Sequence, residues 1–519
     1  MIEVELKILL PDAAAAKALS VRAAKAGLSD GPAARRTLRS IYFDTPERAL
    51  AAQGIALRLR KVGRGWVQTV KRGAGAQAGG LFRLEEDERP APGGRLDLAA
   101  VEPAALREAV EEALGDAALT AQFETDIKRA KLELALPSGR VELAVDAGRV
   151  VAGDRESPLF EAEFELLSGA PAAVYEAART LLSTGAWRFS GRSKAARGHD
   201  LALGRPALPD AAPRQAGKLG FAPEASTEAA AAAALRSCLA QIDANMAACL
   251  AGEAPEGPHQ LRVGLRRLRS ALGLYREALA GPEAEALGEA AKDLAATAGA
   301  LRDLDVQIEE TLRPLASDPA NPDAAGFAAL AAALEARREA ARAALRRALL
   351  GPEARGLLLD LSAFAALRGW LRPEDHGQTE VLARPARKTA AQALRRRGKK
   401  VRRAADGLEA LDIEARHVLR KELKKLRYGV EFLAPAFPPE RVKPFRKALK
   451  RLQDVFGSLN DAAAAEALFG GEDPPCPDDG RAQRAAGRLL GALERRAEDD
   501  WARARDGWTA LAADRPFWK

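Results

Sequence analysis

The chain has few aromatic residues and few cysteines for its length. Phenylalanine, tryptophan and tyrosine make up 5% of its 519 residues. With so many alanines, this shortage favours helices that pack closely through small side chains. The three cysteines, Cys238, Cys249 and Cys476, lack the spacing to a histidine or to one another that a zinc site needs. Neither structural zinc nor a disulfide framework is expected, and a reducing cytoplasm fits.

Long apolar segments are also missing. No uncharged apolar run approaches the ~20 residues of a membrane-spanning helix. Charged residues at positions 3, 5 and 7 do not match a signal peptide. We therefore expect a cytoplasmic protein without a membrane partner.

Positive charge is in excess. Lysine and arginine number 80 against 72 acidic residues, which gives a net charge of +8 and a pI near 9.4. This balance favours anionic partners, although only a local cluster of basic residues would indicate a binding site. At this length a single core is too small, and two or more domains are expected.

Residue patterning divides the chain into an α+β protein of at least two domains. Residues 1–203 contain about eight runs with strand periodicity, a number that can close into an antiparallel barrel. Prolines and small residues mark 204–226 as a linker. From 227 to 515 the periodicity is helical throughout, which predicts an all-α domain. The predicted strands are 2–10, 38–44, 55–61, 66–72, 81–88, 129–136, 140–146 and 159–167; the predicted helices before the linker are 12–26, 103–114 and 171–184.

Several of the predicted strands place charged residues on one face only. In the first strand Glu3, Glu5 and Lys7 alternate with apolar residues, so the three charges share a face. Arg58 and Arg60 alternate in the same way further along. Ordinary solvent-facing strands mix charges of both signs and favour lysine, threonine and serine, whereas across these strands the charges separate into an arginine/lysine set and a glutamate set. Carboxylates beside cations can hold a divalent metal next to an anion, which is what phosphoryl chemistry requires.

The helical region contains an internal repeat at an offset of 158 residues. The segment from His259 to Arg269 matches the segment from His417 to Arg427, and Lys292 matches Lys450 in the same register. This predicts two pseudo-symmetric helical bundles, at about 227–355 and 385–515.

Each copy of the repeat carries a cationic stripe that begins with a histidine. Positions i, i+3, i+7 and i+10 lie on one side of a helix, and like charges so close together repel. This favours a bound anion over a merely solvated face. Because the stripes lack interleaved aromatic residues, a base-free polyanion such as polyphosphate is favoured over nucleic acid. The proposed polyphosphate-binding residues are His259, Arg262, Arg266, Arg269, His417, Arg420, Lys424, Arg427 and Lys450.

These motifs resemble two known families. Residues 1–200 resemble the CYTH family, whose fold is the triphosphate tunnel, and the two helical repeats resemble the CHAD family, a histidine-bearing helical domain that binds polyphosphate. The architecture is similar to the bacterial CYTH–CHAD inorganic triphosphatases. The residues that carry the first resemblance are Glu3, Glu5, Lys7, Tyr42 to Pro46, Gly54, Ala56 to Arg60, Trp66, Thr69 to Lys71, Arg83, Glu85, Asp146, Glu161 to Glu165 and Ser193 to Gly198.

The resemblance implies roles for individual residues. The residues expected to bind triphosphate are Lys7, Arg58, Arg60, Lys71, Arg83, Arg129 and Lys194. Those expected to hold Mg²⁺ or Mn²⁺ are Glu3, Glu5, Asp146, Glu163 and Glu165, with Glu161 as an alternate. Glu85 and Asp146 would orient basic residues or a metal-bound water. The general base stays open among Lys71, Tyr42 and a metal-activated water.

The sequence also bears on the substrate. Inorganic triphosphate is favoured because the chain offers no obvious base-stacking residue. Thiamine-triphosphatase relatives have a tryptophan at the place of Ala56, which argues against that substrate. Adenylyl cyclase activity, a non-catalytic polyphosphate or granule adaptor, and an RNA-binding protein are the alternatives.

Overall fold

A computed structural model describes residues 2–29, 31–73, 79–513 and 516–519, apart from the side chains of residues 413, 458, 460 and 461. The chain forms two compact units. The first comprises residues 1–212 together with 350–369, and the second comprises 213–349 and 370–519.

Eight strands of the first unit close into an antiparallel barrel. The strand order is β5-β4-β3-β2-β6-β7-β8-β1, and β1 pairs back to β5. A ninth strand of two residues pairs with β1. The predicted eight-stranded barrel is confirmed. The strands are β1 (Ile2–Leu9), β2 (Ala34–Asp44), β3 (Ile55–Val62), β4 (Gly65–Arg72), β5 (Leu81–Pro90), β6 (Thr120–Leu136), β7 (Gly139–Ala152), β8 (Arg155–Gly169) and β9 (Arg188–Phe189).

Strands β6 and β7 are longer than their sequence patterns predicted. The prediction began the sixth strand at residue 129, whereas β6 begins at Thr120. Its first half does alternate, with Phe123, Thr125 and Ile127 buried. Glu124 and Asp126 alternate with them, so the strand pattern was present in the sequence and the prediction missed it.

Helices of the first unit cover part of the barrel. Leu57 and Val70, on the outer face of β3 and β4, pack against Leu106 and Val110 of α3. At one end of the barrel Tyr42 stacks on Phe123, with ring centroids 4.6 Å apart, and both pack against α5. The helices of this unit are α1 (Ala13–Lys25), α2 (Ala49–Ala52), α3 (Ala104–Leu114), α4 (Ala172–Leu181), α5 (Lys194–Ala202) and the helix Pro352–Ala366.

The helix Pro352–Ala366 belongs to the barrel unit although the chain reaches it only after the first helical repeat. Its Ser362 hydroxyl hydrogen-bonds with Tyr175 Oη at 2.9 Å and donates to the Gly79 carbonyl at 3.0 Å. Arg355 donates to the Trp187 carbonyl at 3.0 Å and lies over the indole ring. These contacts join the helix to α4, to β9 and to the end of the β4–β5 loop.

The second unit is all-α, as predicted. Helix α9 (Pro282–Asp305) continues as the π-helical segment Val306–Leu312, and the helix Pro352–Ala366 of the first unit is numbered α12. The helices of the second unit are α6 (Thr227–Ala251), α7 (Glu256–Leu274), α8 (Arg276–Leu279), α9 (Pro282–Asp305), α10 (Arg313–Ser317), α11 (Ala324–Leu350), α13 (His376–Ala383), α14 (Ala386–Ala404), α15 (Ile413–Leu433), α16 (Pro439–Phe469) and α17 (Gly480–Ala513). Among the described residues, no helix combines the length and apolarity needed to cross a membrane.

Equivalent helices of the two repeats contact each other. Helix α7 of the first copy packs between α6 and α9, and α15 of the second packs between α14 and α16. Helices α7 and α15 are also in contact. Arg267, buried in α7, donates to Glu431 of α15 at 2.7 Å and lies over the Phe432 ring. The two stripe-bearing helices are therefore held side by side.

Candidate active site

The barrel encloses a cavity of about 350 Å³ whose walls are mostly charged. Strand alternation turns Glu3, Glu5 and Lys7 of β1 inward, while Val4, Leu6 and Ile8 are buried on the other face. At the start of α5 the Ser193 hydroxyl accepts from the Ala196 amide at 3.1 Å. This cap fixes the helix start that carries Lys194. The charged residues lining the cavity are Glu3, Glu5, Lys7, Arg58, Arg60, Lys71, Glu86, Glu88, Arg129, Lys131, Glu142, Glu163, Glu165, Arg192 and Lys194.

One side of the cavity is a compact network in which every charge is compensated. Lys194 Nζ lies 2.8 Å from Glu163 and 2.9 Å from Asp146, and it also pairs with Glu161. Arg129 donates two parallel hydrogen bonds to Asp146, each 2.7 Å long, and a third to Glu163 at 2.8 Å. Burial raises the pKa of Glu163, but Lys194, Lys7 and Arg129 outweigh it and hold the pKa well below its usual range. Glu163 is therefore ionised.

A second group of carboxylates faces the cavity without enough positive charge. Glu142, Glu165 and Glu5 lie opposite one another on the adjacent strands β7, β8 and β1. Burial, together with Glu3 and Glu142, raises the pKa of Glu165 to about 7. Burial is also the largest cause of the raised pKa values of Glu3 and Glu5. The carboxylates of this group carry more negative charge than the neighbouring lysines neutralise.

This second group fits a divalent cation. Glu5 Oε1 is buried and has no hydrogen-bond partner among the described residues. An oxygen-rich site with excess negative charge suits Mg²⁺ or Mn²⁺, which prefer carboxylate ligands. Glu3, Glu5 and Glu165 of the expected metal ligands therefore lie together and meet this requirement.

A different carboxylate cluster satisfies the distance requirement for a metal but not the charge requirement. One oxygen each from Asp146, Glu161 and Glu163 lies within 4.8 Å of the others. Lys194 already contacts all three residues. Asp146 is fully buried behind Arg129 and does not line the cavity. Its contacts fit a role in orienting Arg129 and Lys194 better than a role as metal ligand.

Opposite the carboxylates, Arg58 and Arg60 face the cavity, and Arg60 has little compensation. Arg58 lies 3.5 Å from Glu88 and 3.9 Å from Glu86, both longer than a direct hydrogen bond. Arg60 donates to Ser40 at 3.2 Å and makes no ion pair within the described part of the chain. Burial, with Arg58 and Arg129 nearby, lowers the pKa of Arg60 to about 10. A phosphate oxygen would relieve this crowding.

Tyr42 and Lys71, the two side chains expected to act as bases, also face the cavity. Lys71 donates to Glu3 at 2.6 Å and lies 3.1 Å from Glu86. Burial raises the pKa of Tyr42, but Arg58 and Arg60 outweigh burial and lower it overall.

Two of the expected site residues lie outside the cavity. Arg83 is opposite Val4 in the β1–β5 register, so it shares the outer face of the barrel, where its side chain is exposed. Glu85 accepts from Arg72 at 2.7 Å on the same outer face. From the sequence we expected Arg83 to bind substrate and Glu85 to take part in catalysis. The inward residues of β5 are instead their neighbours Leu84 and Glu86.

Sequence reasoning also missed several residues of the cavity. Glu86, Glu88, Lys131, Glu142 and Arg192 line it, and none was expected there. Glu86 and Glu88 alternate with Leu84, so their shared face was visible in the sequence. Lys131 pairs with Glu142 across β6 and β7, a contact that only the strand register shows.

In the second unit the two cationic stripes come together. Lys424 of α15 is half-buried, and Arg262 and Arg266 of α7 lie close enough to affect its charge. Burial and then Arg266, Arg420, Arg262 and Arg427 lower the pKa of Lys424 to about 7. The pKa values of His259 and His417 are also lowered, by burial and by neighbouring arginines and lysines. Seven of the nine expected polyphosphate-binding residues thus form a connected group, here called the inter-repeat cluster: His259, Arg262, Arg266, His417, Arg420, Lys424 and Arg427.

The other two expected residues are on exposed helix surfaces. Arg269 lies near Glu289 and Lys292 of α9, and Lys450 is exposed on α16. Arg262 is partly compensated, because it donates to Asp303 at 2.7 Å.

Family models match both regions of the chain. The CYTH domain model matches residues 1–198, and the CHAD domain model matches residues 233–470. The chain carries a CYTH domain followed by a CHAD domain. The cavity described above lies in the CYTH domain, and the inter-repeat cluster lies in the CHAD domain.

Individual relatives cover parts of the chain. An inorganic triphosphatase of Haemophilus influenzae is 31% identical over 172 residues, which cover 31% of this chain and 45% of that protein. The match thus spans less than half of that relative. The crystal structure of a CHAD domain from the plant Ricinus communis is 30% identical, covers 59% of this chain and 98% of its own, and has a TM-score of 0.49. A Hippeastrum protein, described as a candidate adenylyl cyclase with a dominant triphosphatase activity, is 21% identical, covers 40% and 98%, and has a TM-score of 0.28.

Proposed function

We propose that the CYTH domain hydrolyses inorganic triphosphate in a metal-dependent reaction and that the CHAD domain binds polyphosphate. One observation carries the first part: a single cavity places the under-compensated Arg60, beside Arg58, opposite carboxylates that have excess negative charge. A phosphate chain would satisfy the arginines, and a divalent cation would satisfy the carboxylates. The name of the Haemophilus influenzae relative supports the same activity.

The reaction needs little covalent chemistry from the protein. Water attacks a terminal phosphorus and the bond to the bridging oxygen breaks, so triphosphate and water yield phosphate and diphosphate. Negative charge grows on the leaving diphosphate as that bond breaks. Preorganised cations at the oxygens lower the barrier, and Lys7, Arg58, Arg60, Lys71, Arg129 and Lys194 are available for this in the cavity.

Glu3, Glu5 and Glu165, with Glu163 beside them, would hold the metal ion. When bound, Mg²⁺ or Mn²⁺ would neutralise phosphate charge and polarise the attacking water. The compensated network has a different task. Because Asp146, Glu161 and Glu163 fix Lys194 and Arg129 from several sides, these cations stay charged and in place before substrate arrives.

Among the residues expected to accept a proton, the contacts favour Tyr42 over Lys71. Arg58 donates a hydrogen bond to the Tyr42 oxygen, and the lowered pKa makes the phenolate easier to form. Lys71 Nζ contacts two carboxylates, Glu3 at 2.6 Å and Glu86 at 3.1 Å, so its nitrogen is already engaged.

The direct test is phosphate release from inorganic triphosphate, ATP, thiamine triphosphate and long-chain polyphosphate, with Mg²⁺, Mn²⁺ or EDTA. Release from triphosphate that EDTA abolishes supports the proposal. If no substrate releases phosphate while polyphosphate still binds, the protein is a polyphosphate adaptor instead.

A matched pair of variants tests the site itself. Glu5→Gln removes a charged oxygen from the metal-facing group, and we expect turnover to fall by roughly a hundredfold or more with polyphosphate binding retained. Glu85→Gln makes the same chemical change on the outer face of the barrel and should leave turnover within about twofold, since Glu85 lies outside the cavity and keeps an oxygen that can accept from Arg72. Equal losses in the two variants would reject the assignment of the cavity as the active site.

A further inference from the structure

Lys7 lies where one edge of strand β1 changes its partner. Up to Leu6 this edge pairs with β5, and from Ile8 onward it pairs with β9. At the change, the Lys7 amide donates to the Gly80 carbonyl at 2.9 Å, and the Lys7 carbonyl accepts from the Ser190 amide at 2.9 Å. The backbone that carries the Lys7 ammonium into the cavity is therefore held between the ends of two separate segments.

The first of these segments approaches Lys7 so closely that only a glycine fits. Gly80 has a φ of +72°, in the left-handed region, and a Cβ atom there would lie 2.6 Å from the Lys7 carbonyl oxygen and 3.1 Å from a ring carbon of Phe189. Phe189 in turn packs edge-on against Trp187, with ring centroids 5.3 Å apart. The two segments and Lys7 thus form one closely packed junction.

Helix α12 binds both segments of this junction. Its Ser362 hydroxyl donates to the Gly79 carbonyl of the first segment at 3.0 Å. Its Arg355 donates to the Trp187 carbonyl of the second segment at 3.0 Å, and the guanidinium lies 5.2 Å from the centre of the indole ring. Each segment that holds Lys7 is therefore itself bound by one side chain of α12.

Burial makes these two contacts strict. Arg355 and Ser362 are each 1% exposed, and a buried polar group that loses its partner suffers the full cost of desolvation. A hydroxyl has one hydrogen, and that of Ser362 is directed to Gly79. Tyr175 must therefore be the donor in its 2.9 Å hydrogen bond with Ser362. The contacts of α12 thus restrain the two segments as well as covering them.

We propose that Arg355 and Ser362 are positioning residues of the triphosphate site, which act through the backbone of Lys7. The proposal rests on the proposed function, because it takes Lys7 to contact substrate phosphate. Lys7 Nζ pairs with Glu163 and lies 2.8 Å from Glu5. A shift of the Lys7 backbone would therefore move the ammonium away from both the compensated network and the metal-facing carboxylates.

This role assigns α12 to a domain other than the one whose family model matches its sequence. The CHAD model matches residues 233–470, which include α12, whereas the structure groups residues 350–369 with the barrel. A CYTH domain cut from the chain at the end of its own match would lack part of the support of its site.

Hydrogen exchange of the full-length protein, measured by mass spectrometry with fragmentation to single amides, tests the junction. In Ser362→Ala and in Arg355→Met, the amides of Lys7 and Ser190 should exchange about tenfold faster than in the wild type, the effect of losing one buried hydrogen bond. Amides in the middle of β6 and β7 should not change. In the same variants kcat/KM for triphosphate should fall by about tenfold. Arg355→Lys keeps a donor and a cation and should recover part of both quantities.

Two variants that break other contacts of α12 are the controls. Tyr175→Phe removes a hydrogen bond to the same Ser362 hydroxyl but leaves its bond to Gly79. Asp360→Asn weakens the ion pair of α12 with Arg179. Both should keep wild-type exchange at Lys7 and stay within about twofold of wild-type kcat/KM.

The outcomes separate this proposal from the proposed function. Wild-type exchange at the Lys7 and Ser190 amides in Ser362→Ala and Arg355→Met, or equal effects in the control variants, would overturn the positioning role. Faster exchange with unchanged kcat/KM would reject the link to the site alone. A wild-type protein that does not hydrolyse triphosphate would reject the proposed function, and the exchange comparison would still be readable. The thermal unfolding midpoint of each variant identifies losses that come from misfolding.

Discussion

The barrel and the helical unit both gather basic side chains, but they keep them in opposite electrostatic states. In the barrel, Lys194 contacts three carboxylates; burial lowers its pKa, but these contacts outweigh burial and raise it overall. In the helical unit, Lys424 is half-buried among four arginines, and its pKa falls to about 7. A lysine fixed by carboxylates is a permanent, positioned charge. A lysine among other cations is stabilised only when a mobile anion arrives.

This difference suits two kinds of recognition. The carboxylates of the barrel restrict where its cations can point, so only an anion that matches their spacing gains from all of them. Within the part of the chain that the structure describes, the inter-repeat cluster has Asp303 beside Arg262 as a fixed acid. Any sufficiently dense polyanion can neutralise it, and its binding should depend strongly on salt.

The largest expected effect comes from removing the fixed lysine of the barrel. Lys194→Met leaves Asp146, Glu161 and Glu163 buried with less positive charge. Breaking a buried ion pair by removing one partner costs about 3–5 kcal/mol. We expect loss of triphosphate hydrolysis and a fall of at least about 6 °C in the midpoint of one calorimetric unfolding transition.

An exposed lysine supplies the control for this variant. Lys128 lies on β6, and its side chain is exposed. Lys128→Met should leave both the transition and the hydrolysis close to wild type. If Lys194→Met is as stable as Lys128→Met, the compensated network does not hold the barrel together in the way its contacts suggest.

The next effect concerns the inter-repeat cluster. Replacing Arg262, Arg266, Arg420 and Lys424 together by alanine should weaken polyphosphate binding by at least about a hundredfold, because several charge-assisted contacts are lost together. It should also flatten the dependence of binding on salt concentration. Fluorescence anisotropy of a labelled polyphosphate at several salt concentrations measures both quantities.

A variant with the same change in net charge distinguishes the cluster from general attraction. Lys443, Arg446, Lys447 and Arg451 are exposed on α16. Their replacement by alanine should reduce affinity much less. Equal losses in the two fourfold variants would mean that net charge, and not the meeting of α7 and α15, determines binding.

Much of this architecture could be predicted from the sequence, because periodicity reports which residues share a face. The inward charges of β1 and β3 were found in this way, since α3 covers the outer face of β3 and makes its other positions apolar. Strand β5 has no such marker. Arg83 and Glu85 on one face, and Glu86 and Glu88 on the other, are all charged, and only the register with β1 shows which face is inside.

Contacts between segments that are distant in the chain could also not be predicted from the sequence. The helical pattern of Pro352–Ala366 gives no sign that it packs on the barrel, because leucine periodicity defines a buried face but not its partner. Arg355 and Ser362 lie on that face and bind Trp187 and Tyr175. The charge of Lys424 was hidden in the same way, since it depends on Arg266, 158 residues earlier in the chain.

The smallest expected effect is the pH dependence of the inter-repeat cluster. Bound polyphosphate favours the ammonium form of Lys424, whereas the free protein loses that proton near pH 7. Binding above pH 7 must therefore take up a proton, and affinity should fall several-fold between pH 7 and 8.5. His259 and His417 are neutral in the free protein in this interval, because burial and neighbouring cations lower their pKa values. Lys424→Arg should bind with a flatter pH profile, since a guanidinium stays charged throughout. The anisotropy titration, repeated at each pH for both proteins, measures this. Parallel profiles would show that the cations around Lys424 do not remove its proton, and the contrast between the two units would then be one of geometry alone.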